Sequence, residues 1–246
     1  MAEHGLLQTI RRAEIDLLRR HFPPGARVLD LGGGDGYQAS VMASWGVEVE
    51  SIDVEGEGSD RFFPVRAYDG STIPFGDGEF DMIFSSNVLE HVRDLPRVFA
   101  ELKRVARLGA KHVHVLPSPK WRFWTNAAHY PYLFRRFVLR RGAGPFEISM
   151  PSSFSESVQR RGLLHSLKRA LLAGPHGEYS SSVAELYYFS ARRWRREFRR
   201  HGFEIVEQYP AGIFYTGYGL TPGLSVGARR RLASLLGSAC NVFVLQ

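Results

Sequence analysis

The chain has 246 residues, of which 44% are hydrophobic, 23% charged and 13% aromatic. That is enough apolar content to bury a core, and enough length for one α/β domain with an insertion. Its single cysteine, Cys240, excludes a disulfide framework, a cysteine zinc site and an iron–sulfur cluster. The charged N-terminus does not read as a secretory signal, and no apolar run reaches the roughly 18 residues of a membrane span, so a soluble, cytoplasmic protein is expected.

The formal charge of +7 is unevenly placed. Between Ser118 and Pro175 ten Lys/Arg face two acids, and the rest of the chain is nearly neutral. An asymmetry of this kind predicts a partner-facing element.

In chain order, residues 5–20 read as an amphipathic helix that ends before Pro23. Arg27 to Leu31 is a short buried strand. It is followed by the cluster Gly32-Gly-Gly-Asp-Gly36 and a helix to Trp45. Strands are predicted over Val47–Asp53, Phe63–Tyr68 and Phe80–Ser85. A helix capped by Asp94, with Pro96 in its first turn, ends at Gly109, and a fifth strand covers Lys111–Leu116. Alternation breaks at Pro117. Residues 118–180 are basic, aromatic and Gly/Pro-punctuated, and read as an insertion. A helix (191–201), a strand (203–208), a short helix (229–236) and a final strand (241–245) close the chain. Strand–helix alternation implies a mostly parallel sheet.

The glycines at 32, 34 and 36 follow the acid Asp30 at a strand end, where a ligand can lie against backbone. Tyr37 stands where the dinucleotide fingerprint approaches its third glycine, and the Gly-Lys-Ser/Thr of a phosphate loop is absent. The loop therefore suits a ligand without phosphates.

Val28-Leu-Asp-Leu-Gly-Gly-Gly-Asp-Gly36 resembles the first motif of the class I S-adenosylmethionine-dependent methyltransferases. Three further features fall in the order of that family: Asp53 ending the second strand, Asp69-Gly-Ser-Thr-Ile-Pro-Phe75 after the third, and Phe80 to Val92 across the fourth strand and its turn. The resemblance implies a Rossmann-like, doubly wound α/β fold: a mostly parallel seven-stranded sheet with a mainly helical insertion after strand five. Residues 1–117 and 181–246 would be the two halves of the methyltransferase domain, and 118–180 a lid or substrate region. It implies S-adenosyl-L-methionine as cofactor and S-adenosyl-L-homocysteine as product. Asp30 would sit near the cofactor's ammonium, Asp53 would accept the ribose hydroxyls, and Asp69 would take the adenine amino group. Gly32, Gly34, Gly36, Tyr37, Val54, Gly70, Ser86 and Asn87 complete the expected cofactor contacts. The link after Asp53 is too short for the usual second helix.

Two histidines are candidate bases: His91 after strand four, and His176 in the turn Pro175-His-Gly-Glu-Tyr179. The bland alternatives are an Asn87/Glu90 capping pair with His91 packed in the turn, and a surface His176. His112 and His114 alternate on one strand with no third ligand placed, so no metal is expected. The resemblance also excludes some chemistries. There is no cysteine nucleophile near strand four, no Asn/Asp-Pro-Pro-Tyr/Phe of base amino-methylation, and no three-cysteine radical cluster. An oxygen, nitrogen or sulfur nucleophile on a small molecule, glycan or lipid-linked substrate remains, with oxygen (or nitrogen) the expected acceptor. The basic, aromatic insertion suits peripheral contact with an anionic membrane at its inner face. RNA-directed methylation, or a non-catalytic cofactor-binding or membrane-associated module, are the alternatives, with nucleic acid the less favoured partner.

Overall fold

The computed structural model describes residues 2–54, 62–139, 174–179, 181–218 and 223–246. The strands are β1 (Arg27–Leu31), β2 (Glu48–Asp53), β3 (Arg66–Ala67), β4 (Phe80–Ser86), β5 (Ala106–Pro117), β6 (Ile205–Pro210) and β7 (Cys240–Leu245). They form one sheet in the order β3-β2-β1-β4-β5-β7-β6. β1 to β5 pair in parallel, and β7 runs antiparallel to both its neighbours.

The parallel strands are apolar on both faces because helices cover both. On one face Val28, Met82, Phe84, Val113 and Val244 share a core with Ile10, Ile15 and Leu18 of helix α1 (Ala2–Leu18) and Val41 and Met42 of α2 (Tyr37–Ala43). On the other, Leu29, Leu31, Ile83 and Phe243 meet α3 (Leu95–Val105) through Val98, Phe99 and Leu102. α3 is started as its sequence predicts: the Asp94 carboxylate accepts from Arg97 N–H, and Pro96 lies in the first turn.

Two strand boundaries differ from expectation. β3 is only Arg66–Ala67, so the expected third strand is reduced to its centre. Gly109 does not end α3. The helix stops at Val105, and Gly109 lies within β5 at φ 79°, in a bulge where Ala106 pairs with Phe80 and Lys111 with Met82. The extra residues bow out far enough to leave Leu108 fully exposed. Of the link after Asp53, residues 55–61 lie outside the described residues, and no helix occurs in the described part.

The expected insertion begins as an integral part of the core. Helix α4 (Pro119–Leu139) buries Trp121 and Tyr132, and Trp124 Nε1 donates to the Leu236 carbonyl at 3.1 Å. Arg122, one of the ten bases of the basic segment, is 2% exposed. The remainder, residues 140–173, and the side chains of Arg135 and Arg136 lie outside the described residues. Helices α5 (Ala184–Tyr188), α6 (Ala191–Arg200) and α7 (Val226–Leu236) complete the chain. Among the described residues no helix is long and apolar enough to cross a membrane.

Candidate functional site

The glycine loop joins β1 to α2 at the carboxyl edge of the sheet, where open α/β sheets hold their ligands. Its glycines are not equivalent. A Cβ on Gly32 would meet Val88 Cγ2 at 2.3 Å, on Gly33 the Ser51 Oγ at 1.9 Å, and on Gly36 the Phe63 carbonyl at 2.6 Å. These three let the loop pack against the protein. Gly34 differs: at φ 56° its Cβ would meet nothing within 4 Å. One bare stretch of backbone therefore faces open space, and its N–H donates to Asp53 Oδ2 at 2.8 Å, tying the loop to the end of β2.

Asp30 lies beneath this loop. It is 2% exposed and accepts from Ser51 Oγ at 2.8 Å, and burial, with Asp53 adding repulsion, pushes its carboxyl up to about 7. Asp30 thus braces the loop from below, beside Ser51 and the Gly33 backbone. Tyr37 stacks edge-on against Phe62 at 5.3 Å and lines the hollow beside Gln8 and Arg12 of α1. Val54 is exposed beyond β2, and its Cγ1 stands 3.1 Å from a Cβ placed on Gly70, so the ends of β2 and β3 lie side by side here. Asp69 Oδ1 accepts from the N–H groups of Ser71 and Thr72, both at 2.7 Å, and these bonds hold its carboxyl below the usual range.

Beyond β4 the chain turns sharply. Asn87 takes φ 56°, its N–H donates to the Val115 carbonyl at 2.8 Å, and its Nδ2 donates to Ser86 Oγ at 3.2 Å. Asn87 Oδ1 in turn accepts from Cys240 Sγ at 3.6 Å. Leu89–His91 then forms a 3₁₀ turn without a side-chain cap, so the Asn87/Glu90 capping pair does not form. Glu90 points inward instead. It is fully buried, and burial pushes its carboxyl up to about 8.

The structure brings together the two histidines that the sequence leaves 85 residues apart. The rings of His91 and His176 meet edge-to-face at 4.8 Å, and Trp121 covers the other side of His176 at 4.8 Å. Burial lowers both imidazoles, with His91 and Arg122 adding to the effect at His176. The His176 turn is clamped from two directions. Glu178 N–H donates to the Glu90 carbonyl at 3.2 Å, and Glu185 Oε1 accepts from His176 N–H at 2.6 Å and Gly177 N–H at 2.7 Å. Glu185 Oε2 pairs with the buried Arg122 at 3.2 Å. His176 is thus no surface-turn residue. A second buried network backs Asn87: Tyr215 O–H donates to Glu14 Oε1 at 3.1 Å and lies 3.1 Å from Cys240 Sγ, with Arg11 on Glu14 at 2.9 Å.

Sequence reasoning missed Glu185, Arg122 and Trp121 as site residues. The signal for Arg122 and Trp121 is present in the Trp-Arg pair at the start of the insertion, but composition alone assigns it to a lid or membrane-facing segment. His112 and His114 share a face as expected, but that face is core. His114 stacks on Phe198, its Nδ1 lies 2.8 Å from Ser85 Oγ, and burial pushes His112 down to about 3.

Comparison with known proteins agrees with this geometry. A family model described as a methyltransferase domain matches residues 6–208. An uncharacterized methyltransferase of Mycobacterium sp. (strain JLS) is 38% identical over 96 residues, 35% of this chain and 37% of that protein. The demethylmenaquinone methyltransferase of Beutenbergia cavernae is 34% identical over 124 residues, 48% of this chain and 51% of that protein. The matches thus span between about a third and a half of these relatives' lengths.

Two solved structures share the fold. An S-adenosylmethionine-dependent methyltransferase from Mesorhizobium loti superposes with TM-score 0.52 at 17% identity, covering 95% of this chain and 97% of its own. A Burkholderia thailandensis 1,6-didemethyltoxoflavin-N1-methyltransferase, solved with 1,6-didemethyltoxoflavin and S-adenosylhomocysteine, gives 0.53 at 14% identity, covering 97% and 78%. With the ordered motifs, the seven-stranded sheet and a family match over most of its length, this chain belongs to the class I S-adenosylmethionine-dependent methyltransferases.

Proposed function

We propose that this methyltransferase acts on an oxygen (or nitrogen) nucleophile of a small or lipid-linked molecule, glycans included, seated over Asn87, His91 and His176. The observation that carries the reading is the convergence of His91 and His176 beside the turn after β4, walled by Trp121. When bound, S-adenosylmethionine supplies an electrophilic methyl group. The residues of the crevice fit it. Gly34 offers bare backbone, Asp53 offers an acceptor for ribose hydroxyls, and Asp69 lies at the far wall with Gly70 and Val54. The protein's own work is then to align the acceptor and take its proton at the imidazole pair. Support for a small acceptor also comes from the names of two similar proteins, which specify demethylmenaquinone and 1,6-didemethyltoxoflavin.

A lipid-linked acceptor is favoured by α4. Phe123, Tyr130 and Phe134 are exposed at positions that fall on one stripe of that helix. The test is incubation with methyl-labelled cofactor and separated pools of polar metabolites, lipid extract and RNA. Label in a metabolite or lipid product, lost in His91→Ala and His176→Ala by roughly 10²-fold or more, supports the reading. Label in RNA overturns the acceptor class, and undiminished turnover in both variants overturns the role of the pair.

A further inference from the structure

Glu90 carries a liability that a methyl-transfer pocket does not require. Its side chain is fully buried, and no other described residue donates a hydrogen bond to either carboxylate oxygen. A polar group left so is costly, and native proteins keep one where something else satisfies it. The nearby cations do not supply that partner, since Arg11 is held by Glu14 at 2.9 Å and Arg122 by Glu185 at 3.2 Å.

What Glu90 does face is imidazole. His91 Nε2 lies 3.9 Å from Glu90 Oε1. One ligand atom from each of Glu90, His91 and His176 lies within 4.8 Å of the other two, the one such group of three or more among the described residues. We propose that Glu90, His91 and His176 together bind a divalent first-row transition-metal ion, and that this ion in turn takes the acceptor's oxygen as a further ligand. The proposal rests on the acceptor reading given above for its second half only.

The chemistry of the donor set selects the class of ion. Two imidazole nitrogens and one carboxylate oxygen suit zinc, manganese, iron or cobalt, whereas calcium and magnesium ask for oxygen throughout. Bonds of roughly 2.0–2.2 Å would draw the ligand atoms to about 3–3.5 Å from one another. Glu90 and His91, at 3.9 Å, already stand close to that spacing. His176 is already oriented, by Trp121 against its ring and by Glu185 on its backbone N–H, the kind of outer support that metal ligands use. Three protein ligands leave a coordination position open. An acceptor hydroxyl bound there would lose its proton more easily, the proton passing to solvent, and with the ion in place His91 and His176 would serve as its ligands instead of as bases.

The test uses the full chain, stripped with a chelator and titrated with Zn²⁺ by calorimetry and with Co²⁺ by visible absorption. The expected result is about one equivalent of either ion, with cobalt bands in the d–d region. Glu90→Gln and His176→Ala should each weaken binding by roughly 100-fold or more, while S-adenosylhomocysteine affinity stays at the wild-type value. Failure of the wild-type protein to bind either ion overturns the proposal without need of any variant. So does binding that both folded variants retain. Methyl transfer that continues in excess chelator removes the metal and leaves the acceptor reading standing, whereas loss of methyl transfer restored by Zn²⁺ or Mn²⁺ supports both.

Discussion

Gly34→Ala separates the ligand-facing glycine from the packed ones. In the folded chain an alanine Cβ at 34 meets nothing within 4 Å, so the substitution introduces no internal clash. It does place an L residue at φ 56°, a left-handed conformation that costs roughly 1–2 kcal/mol. For a chain of this size that lowers the melting temperature by about 2–8 °C. Binding should suffer differently. If the bare backbone is where the cofactor lies, one methyl overpacks the contact by about 1–3 kcal/mol, or roughly 5–150-fold in dissociation constant.

Gly33→Ala is the contrasting case. Its Cβ would sit 1.9 Å from Ser51 Oγ and 2.9 Å from Asp30 Oδ2, so the fold itself must give. Calorimetric titration with S-adenosylhomocysteine and a thermal melt on both variants decide the matter. A folded Gly34→Ala protein with wild-type affinity would show that the open side of the loop faces solvent and not the ligand. A larger melting loss at 34 than at 33 would contradict the packing order.

Asp53→Ala should weaken S-adenosylhomocysteine binding by roughly 1.5–3 kcal/mol, the scale of hydrogen bonds to a charged group, and unchanged affinity by titration removes Asp53 from the ribose. Asp30 gives a pH signature. Its carboxyl stands at about 7 in the fold against 3.8 in the open chain, so the folded state binds the proton more tightly. Asp30's own contribution to the stability of the ligand-free protein should therefore be largest below about pH 4 and fall away between pH 4 and 7, by up to about 4 kcal/mol. Ser51 and Asp53 are the groups facing it, and Asp30→Asn should flatten that slope in urea melts across pH. Glu185→Ala strands Arg122 and frees the His176 turn, at a cost of roughly 3–5 kcal/mol in denaturant unfolding, and a loss under about 1 kcal/mol would mean the buried pair contributes little. Vesicle co-sedimentation should show salt-sensitive pelleting with anionic but not neutral lipid, and equal, negligible pelleting with both removes the membrane-facing reading of the basic segment.

The glycine-loop half of the candidate site is legible because it is local. The strand–glycine–helix run from Val28 to Ala43 and the acid ending β2 are written in consecutive residues, and steric rules connect them directly to backbone shape. The third strand and the start of β5 were drawn wrongly for the same reason in reverse. Phe63 to Tyr68 has the composition of a strand, but only Arg66 and Ala67 pair with β2, and Gly109 has the look of a helix stop although its left-handed φ serves a bulge. The histidine half is hidden by distance in the chain. Asn87 and Glu90 have the spacing of a cap, and only the tertiary setting, with Asn87 at positive φ and Glu90 turned inward, reveals otherwise. Nothing in the residues around His176 announces that a carbonyl at 90 and a carboxylate at 185 will pin it beside His91.

That double pinning gives the His176 turn a seat of its own, independent of the segment that leads into it. The His176 turn takes its position from Glu90 and Glu185, two residues that belong to the sheet edge and to α5. A Cβ on Gly177 would strike the Glu90 carbonyl at 2.6 Å, so the turn has a single seat. Both anchors lie outside residues 140–173. Sequence exchanged within that stretch should therefore leave His176 on its two anchors and its ring against His91, which makes the stretch a place where the chain can be varied without rebuilding the turn.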